Sequence, residues 1–501
     1  MTNDALLVLL SIGTVCVVTI LISVFGLRRT RTTRDFYVAS RRVPPWMNAS
    51  AIAGEYLSAA SFLGVAGLIM AFGTHGLWFP VGYTAGFLSL LVFVAAPLRR
   101  SGAYTIPDLM SLRLPSAVLR RLTALLVVVT GWLYIVPQLH GAALALSATT
   151  GLPAWLGPAI VVLVVLPTVV SGGMRSVTMA QAVQYWFKLS ALFIPTVFIV
   201  LRLGTGEADV LPDFANAFDV ALVADTHTST YRTISLVAAL MLGTLGLSHV
   251  LVRFYTNPDG PSARRTTVLL LGLLAAFYVL PIILGVVARA VLPELSASTT
   301  TDTALLHLPE ALFNGLLGDL LTALVAGGAF AAFLSTASGL VVSISGVVSQ
   351  EFFGGTVRGF RIGATLALVL PIIAAFVTTD LALAGAVAMV FTFTASSLAP
   401  IVLLAIWWRG LTVHGAITGM LTGAIVSLTA LLTGQFSDTE ELTTTMLQYP
   451  ALWTVPLVLV VTMLVSALGT QRPPATTDAV MAKLHLPEHT RQYVTEATRD
   501  A

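Results

Sequence analysis

The feature that most constrains this chain is a recurrence. Thirteen stretches of about 20 predominantly apolar residues follow one another, each long enough as a helix to cross roughly 30 Å of hydrocarbon. They cover about 5–27, 47–73, 76–97, 122–150, 154–174, 178–203, 231–252, 266–292, 319–350, 361–380, 382–408, 414–434 and 450–469. Backbone groups in lipid must find partners within the protein, so the pattern predicts helices and excludes open sheets. Composition agrees, with 10% charged residues against about 25% in soluble domains. The expected fold class is therefore an all-α polytopic membrane protein, one transmembrane domain over 1–470 with a short polar tail over 471–501.

The few charges set the expected orientation. Of 26 Lys and Arg, 22 fall at 28–42, 99–121, 175, 253–265, 358–361, 409 and beyond 470. All of these lie on one side if the N-terminus is outside and the C-terminus inside, because short cytoplasmic loops accumulate Lys and Arg. Arg202, Arg232 and Arg289 lie near the other face, and Lys188 lies within a span. The acidic loops at 204–230 and 435–450 then face outward. The first stretch lacks a basic leader and runs into Arg28-Arg29-Thr30-Arg31, a stop-transfer flank, so it reads as a retained helix and not a signal peptide. A net charge of +3 without a basic, aromatic-rich domain excludes a nucleic-acid binder. The single Cys16 excludes a disulfide framework and a thiolate metal site. The 24 Arg against two Lys point to a GC-rich bacterial genome and hence to a cell membrane.

A channel, a membrane enzyme, a sensor and a transporter all fit such a composition. The enzyme reading lacks its constellation: no His-Glu-x-x-His pair, no Gly-x-Ser-x-Gly elbow and no paired carboxylates at helical spacing. The polar tail has no room for a sensor's output domain, and no pore signature is evident. Interrupted helices with small polar residues at mid-membrane depth point to a secondary transporter. The first interruption is Gly54-Glu55-Tyr56-Leu57-Ser58-Ala59-Ala60-Ser61, in the middle of an apolar run. A charge at such depth costs at least about 2.5–3.5 kcal/mol on insertion scales, so Glu55 is expected to have a task. Backbone unwound near Gly54 would expose carbonyls to a hard cation such as Na⁺, and the following half-helix would present its N-terminus to an anion. Gly and Ser at these positions could equally serve close helix packing. In the ninth span, the Ala332 carbonyl and the hydroxyls of Ser335 and Thr336 can share a helical face. Those are hard oxygen ligands suited to Na⁺, although such hydroxyls also bond their own i−4 carbonyls.

These two segments, with marks spread along the chain, resemble the sodium:solute symporter family. The marks are Asp35-Phe36-Tyr37-Val38-Ala39, Tyr104-Thr105-Ile106-Pro107-Asp108-Leu109, Ser171-Gly172-Gly173-Met174, Gln181, Gln184, His249, Arg253-Phe254, Pro400, Trp408-Arg409-Gly410-Leu411-Thr412 and Gly415-Ala416 to Gly419-Met420. The residues from Ala53 to Gly64 and from Gly246 to Thr256 are similar to the cation/acetate, or monocarboxylate, subgroup. The resemblance implies two inverted five-helix repeats of the leucine-transporter type, at about 47–203 and 231–408. It also implies a Na⁺ site on the carbonyls of Gly54, Leu57 and Ala332 and the hydroxyls of Ser335 and Thr336. Glu55 stands where the subgroup carries Asp, and Gln181 stands where some members carry an acid tied to a further sodium.

The expected activity is Na⁺-coupled symport of a small organic anion such as acetate, propionate or pyruvate, with no organic cofactor. Expected substrate contacts are Glu55, Tyr56, Ser58, Ser61, Tyr134 and Gln138. Rival readings are H⁺ coupling through Glu55, another solute such as an amino acid or sugar, and a non-transporting sensor. Lys188 is expected to snorkel to the cytoplasmic face, with a substrate carboxylate or Glu55 as the other possible partners. His140 and His249 are candidate proton relays, His249 with Arg253 more simply a structural contact. Thr392, Thr394, Ser396 and Ser397 either line a cavity or bond between helices. His75 and Trp78 read as interface anchors.

Overall fold

In the computed structural model, residues 3–27, 39–204, 226–296, 301–377, 382–436, 442–487 and 490 are described. Arg28 to Arg31, the Asp35 to Val38 motif, most of the 204–230 loop and the end of the tail lie outside them. The described residues form helices and connecting turns, with no strand among them. Among the described residues the apolar stretches are predominantly helical, but the elements do not divide as expected. Ten helices among them are long and apolar enough to span a membrane, or eleven if a bent pair counts as one. The expected count of thirteen differs because two continuous runs, Ala60–Phe93 and Leu156–Gly204, each absorb two stretches.

Both runs turn at a glycine. Gly73 has φ 56° and Gly173 has φ 58°, values in the region that L side chains avoid. Hydropathy reads across such a turn without interruption, because it records apolarity and not backbone direction.

Two helices are broken where polar residues enter the core. Pro45–Tyr56 stops at Leu57, whose φ −72° and ψ 80° leave the helical region. The Ser58 amide turns back onto the Tyr56 carbonyl at 2.8 Å, and a single π-turn, Ala60–Gly64, restarts the helix. The second break was not foreseen within the 231–252 stretch. Thr226–Thr244 ends, Leu247 adopts φ −72° and ψ 106°, and Ser248–Phe254 continues at a 45° bend. Leu57 and Leu247 thus hold nearly the same backbone conformation, one in each proposed repeat.

Between the breaks runs Leu316–Phe352, the most enclosed of the long helices together with Leu383–Trp407. In each, 89% of the apolar window is buried, against 33% for the first and last spans. A helix enclosed by others faces protein on all sides, which explains why Leu316–Phe352 is lined with Gly, Ala and Ser.

The predicted cytoplasmic loops meet at one end of the bundle. Arg99 donates to the carbonyls of Asn257 and Pro258, Arg113 to those of Trp408 and Arg409, and Arg120 pairs with Asp108 and Glu351 at 2.8 and 2.7 Å. Arginine's planar fork suits these multiple carbonyl and carboxylate acceptors. Thr105 and Asp108 form a capping box there, and Thr412 caps a later helix.

Candidate functional site

The break at Leu57 frees carbonyls that an intact helix would have used, and Leu316–Phe352 supplies hydroxyls beside them. Of the five groups expected at the cation site, the Gly54 and Leu57 carbonyls and the Ser335 hydroxyl share one partner. The Thr336 hydroxyl donates to the Glu55 carbonyl at 2.6 Å, and the Ser335 hydroxyl donates to the Ala332 carbonyl at 3.0 Å. The cation among them is the ammonium of Lys188. Its Nζ donates to the carbonyls of Gly54 at 2.5 Å and Leu57 at 2.8 Å, and to the Ser335 hydroxyl at 3.0 Å.

This corrects the expectation that Lys188 snorkels outward. The side chain is fully buried, and its three N–H bonds meet three oxygens. With Lys188 Nζ on the Gly54 and Leu57 carbonyls and the Ser335 hydroxyl, the space between these oxygens is filled, and the pocket in this conformation does not fit an additional Na⁺.

Glu55 is committed as well. Its Oε2 accepts from Arg253 Nε at 2.6 Å, with both side chains 1% exposed. Arg253 also donates to Thr178 at 2.7 Å and to Gln181, whose amide in turn donates to the Ser335 carbonyl at 2.8 Å. A continuous network therefore joins the broken helix, Leu156–Gly204, Ser248–Phe254 and Leu316–Phe352. Glu55 Oε1 lies where a Cβ on Gly339 would stand, 2.0 Å away, so the carboxylate needs glycine opposite it. The expected contact between His249 and Arg253 gives way to this arrangement: Arg253 turns to Glu55, and the His249 ring packs edge-on against Tyr134 at 5.2 Å.

The other expected substrate residues divide by role. Gln138 Oε1 accepts the Ala59 amide at 3.0 Å and so satisfies a backbone donor that the break exposes. Ser61 bonds the Tyr278 hydroxyl at 3.0 Å, and Tyr56 bonds Thr244 at 3.2 Å, tying one break to the other. Tyr56, Tyr83, Tyr134 and Phe391 form a chain of edge-on ring contacts around Ser58 and His249. Within it the Tyr83 hydroxyl and both His249 ring nitrogens have no hydrogen-bond partner among the described residues.

The region is closed in this conformation. Tyr56, Tyr83 and Tyr134 are each 2% exposed or less, and toward the Thr105 loop only a cavity of about 20 Å³ opens, lined by Met174, Ser248, Tyr255 and Ser343. That is room for about one water.

Thr392, Thr394 and Ser397 bond carbonyls four residues back in their own helix, and Ser396 bonds Thr454, so interior bonding prevails over a cavity lining. His140 bonds the Ala375 carbonyl at 3.0 Å, away from the network. Trp78 is 42% exposed, in keeping with an interface position.

Replacing Gln138 by Met is expected to destabilise the protein by about 1–3 kcal/mol, because the buried Ala59 amide loses its acceptor. Thermal unfolding of the variant in detergent reads the loss, and a Tm equal to that of the wild type would refute the capping role.

Comparison with known proteins places this geometry. The sodium:solute symporter family matches residues 36–423. The uncharacterised symporter YwcA of Bacillus subtilis is 31% identical over 425 residues, covering 82% of this chain and 83% of its own. A monocarboxylic acid transporter of Corynebacterium glutamicum is 29% identical over 434 residues, covering 80% of this chain and 79% of its own.

Among solved structures, a substrate-bound, outward-open Na⁺-coupled sialic acid symporter shares the fold. It has a TM-score of 0.73 at 15% identity, covering 93% of this chain and 99% of its own. Mhp1, a nucleobase-cation-symport-1 transporter in a closed conformation, follows at a TM-score of 0.55 and 13% identity, covering 89% of this chain and 98% of its own. The fold is thus one shared with a Na⁺-coupled symporter, and the protein is a multi-pass membrane transporter and not an enzyme. Between the two broken helices lies the polar network described above, and the chain belongs to the sodium:solute symporter family.

Proposed function

We propose that the protein is a secondary active symporter of the bacterial cell membrane that imports a short monocarboxylate such as acetate, propionate or pyruvate. The observation that carries the anion is the charge of the buried core. Glu55, Arg253 and Lys188 are all 1% exposed or less, two basic side chains against one acidic. Such a surplus in low dielectric attracts an anion of small size. The name of the Corynebacterium relative supports the same class.

The solute would lie beside Ser58, within the ring of Tyr56, Tyr83, Tyr134 and His249, where the uncommitted Tyr83 hydroxyl and His249 nitrogens await a partner. The apolar faces of those rings suit a short alkyl or acetyl group, and their polar atoms suit a carboxylate.

Transport would proceed by rocking of two inverted repeats, about 47–203 and 231–408, within thirteen crossings and with the N-terminus outside. The matched backbone conformations at Leu57 and Leu247 support that pseudo-symmetry, and the meeting of the basic loops at one end supports a common cytoplasmic face. Family membership supports Na⁺ as the coupling ion. No step of this cycle passes through an ion bound among Gly54, Leu57, Ala332, Ser335 and Thr336, because Lys188 fills that pocket.

Uptake of labelled acetate and pyruvate into proteoliposomes tests the reading. Saturable uptake, competed by short monocarboxylates and not by amino acids or sugars, is expected. Competition by sugars or amino acids alone would overturn the substrate class.

A further inference from the structure

The ammonium of Lys188 sits where the fold gathers oxygens for a monovalent cation. The surrounding groups are neutral: the carbonyls of Gly54 and Leu57 and the hydroxyl of Ser335, with the Ala332 carbonyl and Thr336 hydroxyl next to them. Neutral hard oxygens in a buried shell ask for a single positive charge. Here that charge is covalently attached to the chain, and it bridges the broken helix to Leu316–Phe352 from a third element, Leu156–Gly204. A tethered cation is present at high effective concentration, and a free ion entering within about 3 Å of it would meet strong like-charge repulsion.

We propose that Lys188 is a built-in cation that takes the place of Na⁺ at this pocket, so that the junction between the broken helix and Leu316–Phe352 closes without binding free sodium. The proposal deepens the transport reading above by naming the cation at its hinge, and its first test needs no solute. It follows that a ligand with no differential affinity for the two conformations shifts nothing, so sodium should not bias the closure of this junction in the wild-type chain. Removing the side chain leaves the same oxygens around a vacated volume, which sodium can then enter.

The test is sodium binding to the purified full-length protein in detergent, followed by radioactive sodium and by Tm in sodium against choline chloride. Wild-type protein is expected to bind no sodium at this pocket, so any sodium-dependent rise in its Tm should survive Ser335→Ala. Lys188→Ala is expected to gain sodium binding and a sodium-dependent rise in Tm of about 3 °C or more, abolished by adding Ser335→Ala. Lys188→Met, which fills the volume without a charge, should gain neither.

Stoichiometric sodium binding by the wild type that Ser335→Ala removes would overturn the proposal, as would a folded Lys188→Ala protein indifferent to sodium. Should Lys188→Ala fail to fold, the wild-type binding measurement alone decides. Absence of any monocarboxylate uptake would sink the substrate reading while leaving the sodium-binding result to judge Lys188.

Discussion

Arg253→Met is expected to lower stability by about 3–5 kcal/mol, the cost of leaving one member of a buried ion pair alone. The Glu55 carboxyl group, 1% exposed, would lose its donor at 2.6 Å and with it the charge that compensates its own. Thr178 and Gln181 would lose their guanidinium partner at the same time. The size of the loss belongs to the orphaned charge and not to the pair itself, so removing both members should cost far less. The double variant Glu55→Gln, Arg253→Met is therefore expected to unfold above Arg253→Met alone, because neither member of the pair is then left without its partner. Thermal unfolding of the purified variants in one detergent reads the difference directly. A double variant no more stable than the single one would show that the ion pair is not what Arg253 contributes. The same comparison bears on the H⁺-coupled rival: a carboxylate held by Arg253 is a structural tie between Pro45–Tyr56 and Ser248–Phe254, and is not free to serve as a carrier group.

How much of this could be read from the residues depends on which physical property each inference used. Hydropathy reports depth, and depth was enough to find the interruption at Gly54 and the oxygen-bearing face at Ala332, Ser335 and Thr336. Helical spacing likewise put the Ser335 hydroxyl beside the Ala332 carbonyl, whereas the Thr336 hydroxyl goes to the Glu55 carbonyl of the broken helix. The break at Leu247 escaped because Leu245 and Leu247 are themselves apolar, leaving Gly243, Thr244, Gly246 and Ser248 as the marks of an unwound turn. Partner choice was illegible for a different reason. Lys188 reaches Gly54 across 134 residues of sequence and Arg253 reaches Glu55 across 198, so periodicity along one helix cannot reveal either contact. A sign was present in retrospect: Gln181 and Lys188 are seven residues apart, on one face of their helix, and both turn toward Ser335. A lysine so deep in a span, with polar neighbours on its own face, signals an interior partner more strongly than a route to the lipid surface.

Gly54→Ala is expected to disable the site even though it adds one methyl group and removes no polar atom. A Cβ at Gly54 would stand 2.2 Å from the Gln181 carbonyl oxygen and 3.0 Å from its carbon, and these are backbone atoms that no rotamer change can move. The broken helix and Leu156–Gly204 must then separate, which carries the Gly54 carbonyl away from Lys188 and loosens the Gln181 bridge to Ser335. Overpacking of this kind costs about 1–3 kcal/mol, and the displacement falls on the atoms that set the geometry of the site. Uptake should therefore be lost to a greater degree than the change in Tm alone would suggest. Gly272→Ala is the control: it too adds a methyl to a helical glycine within a span, but nothing lies within 4 Å of its Cβ. There the better helix propensity of alanine should leave Tm unchanged or raised by the equivalent of about 0.5–1 kcal/mol, with uptake intact. If Gly54→Ala behaved like Gly272→Ala, the two helices would not be packed at backbone distance, and the Lys188 contacts that depend on that closeness would fall with it.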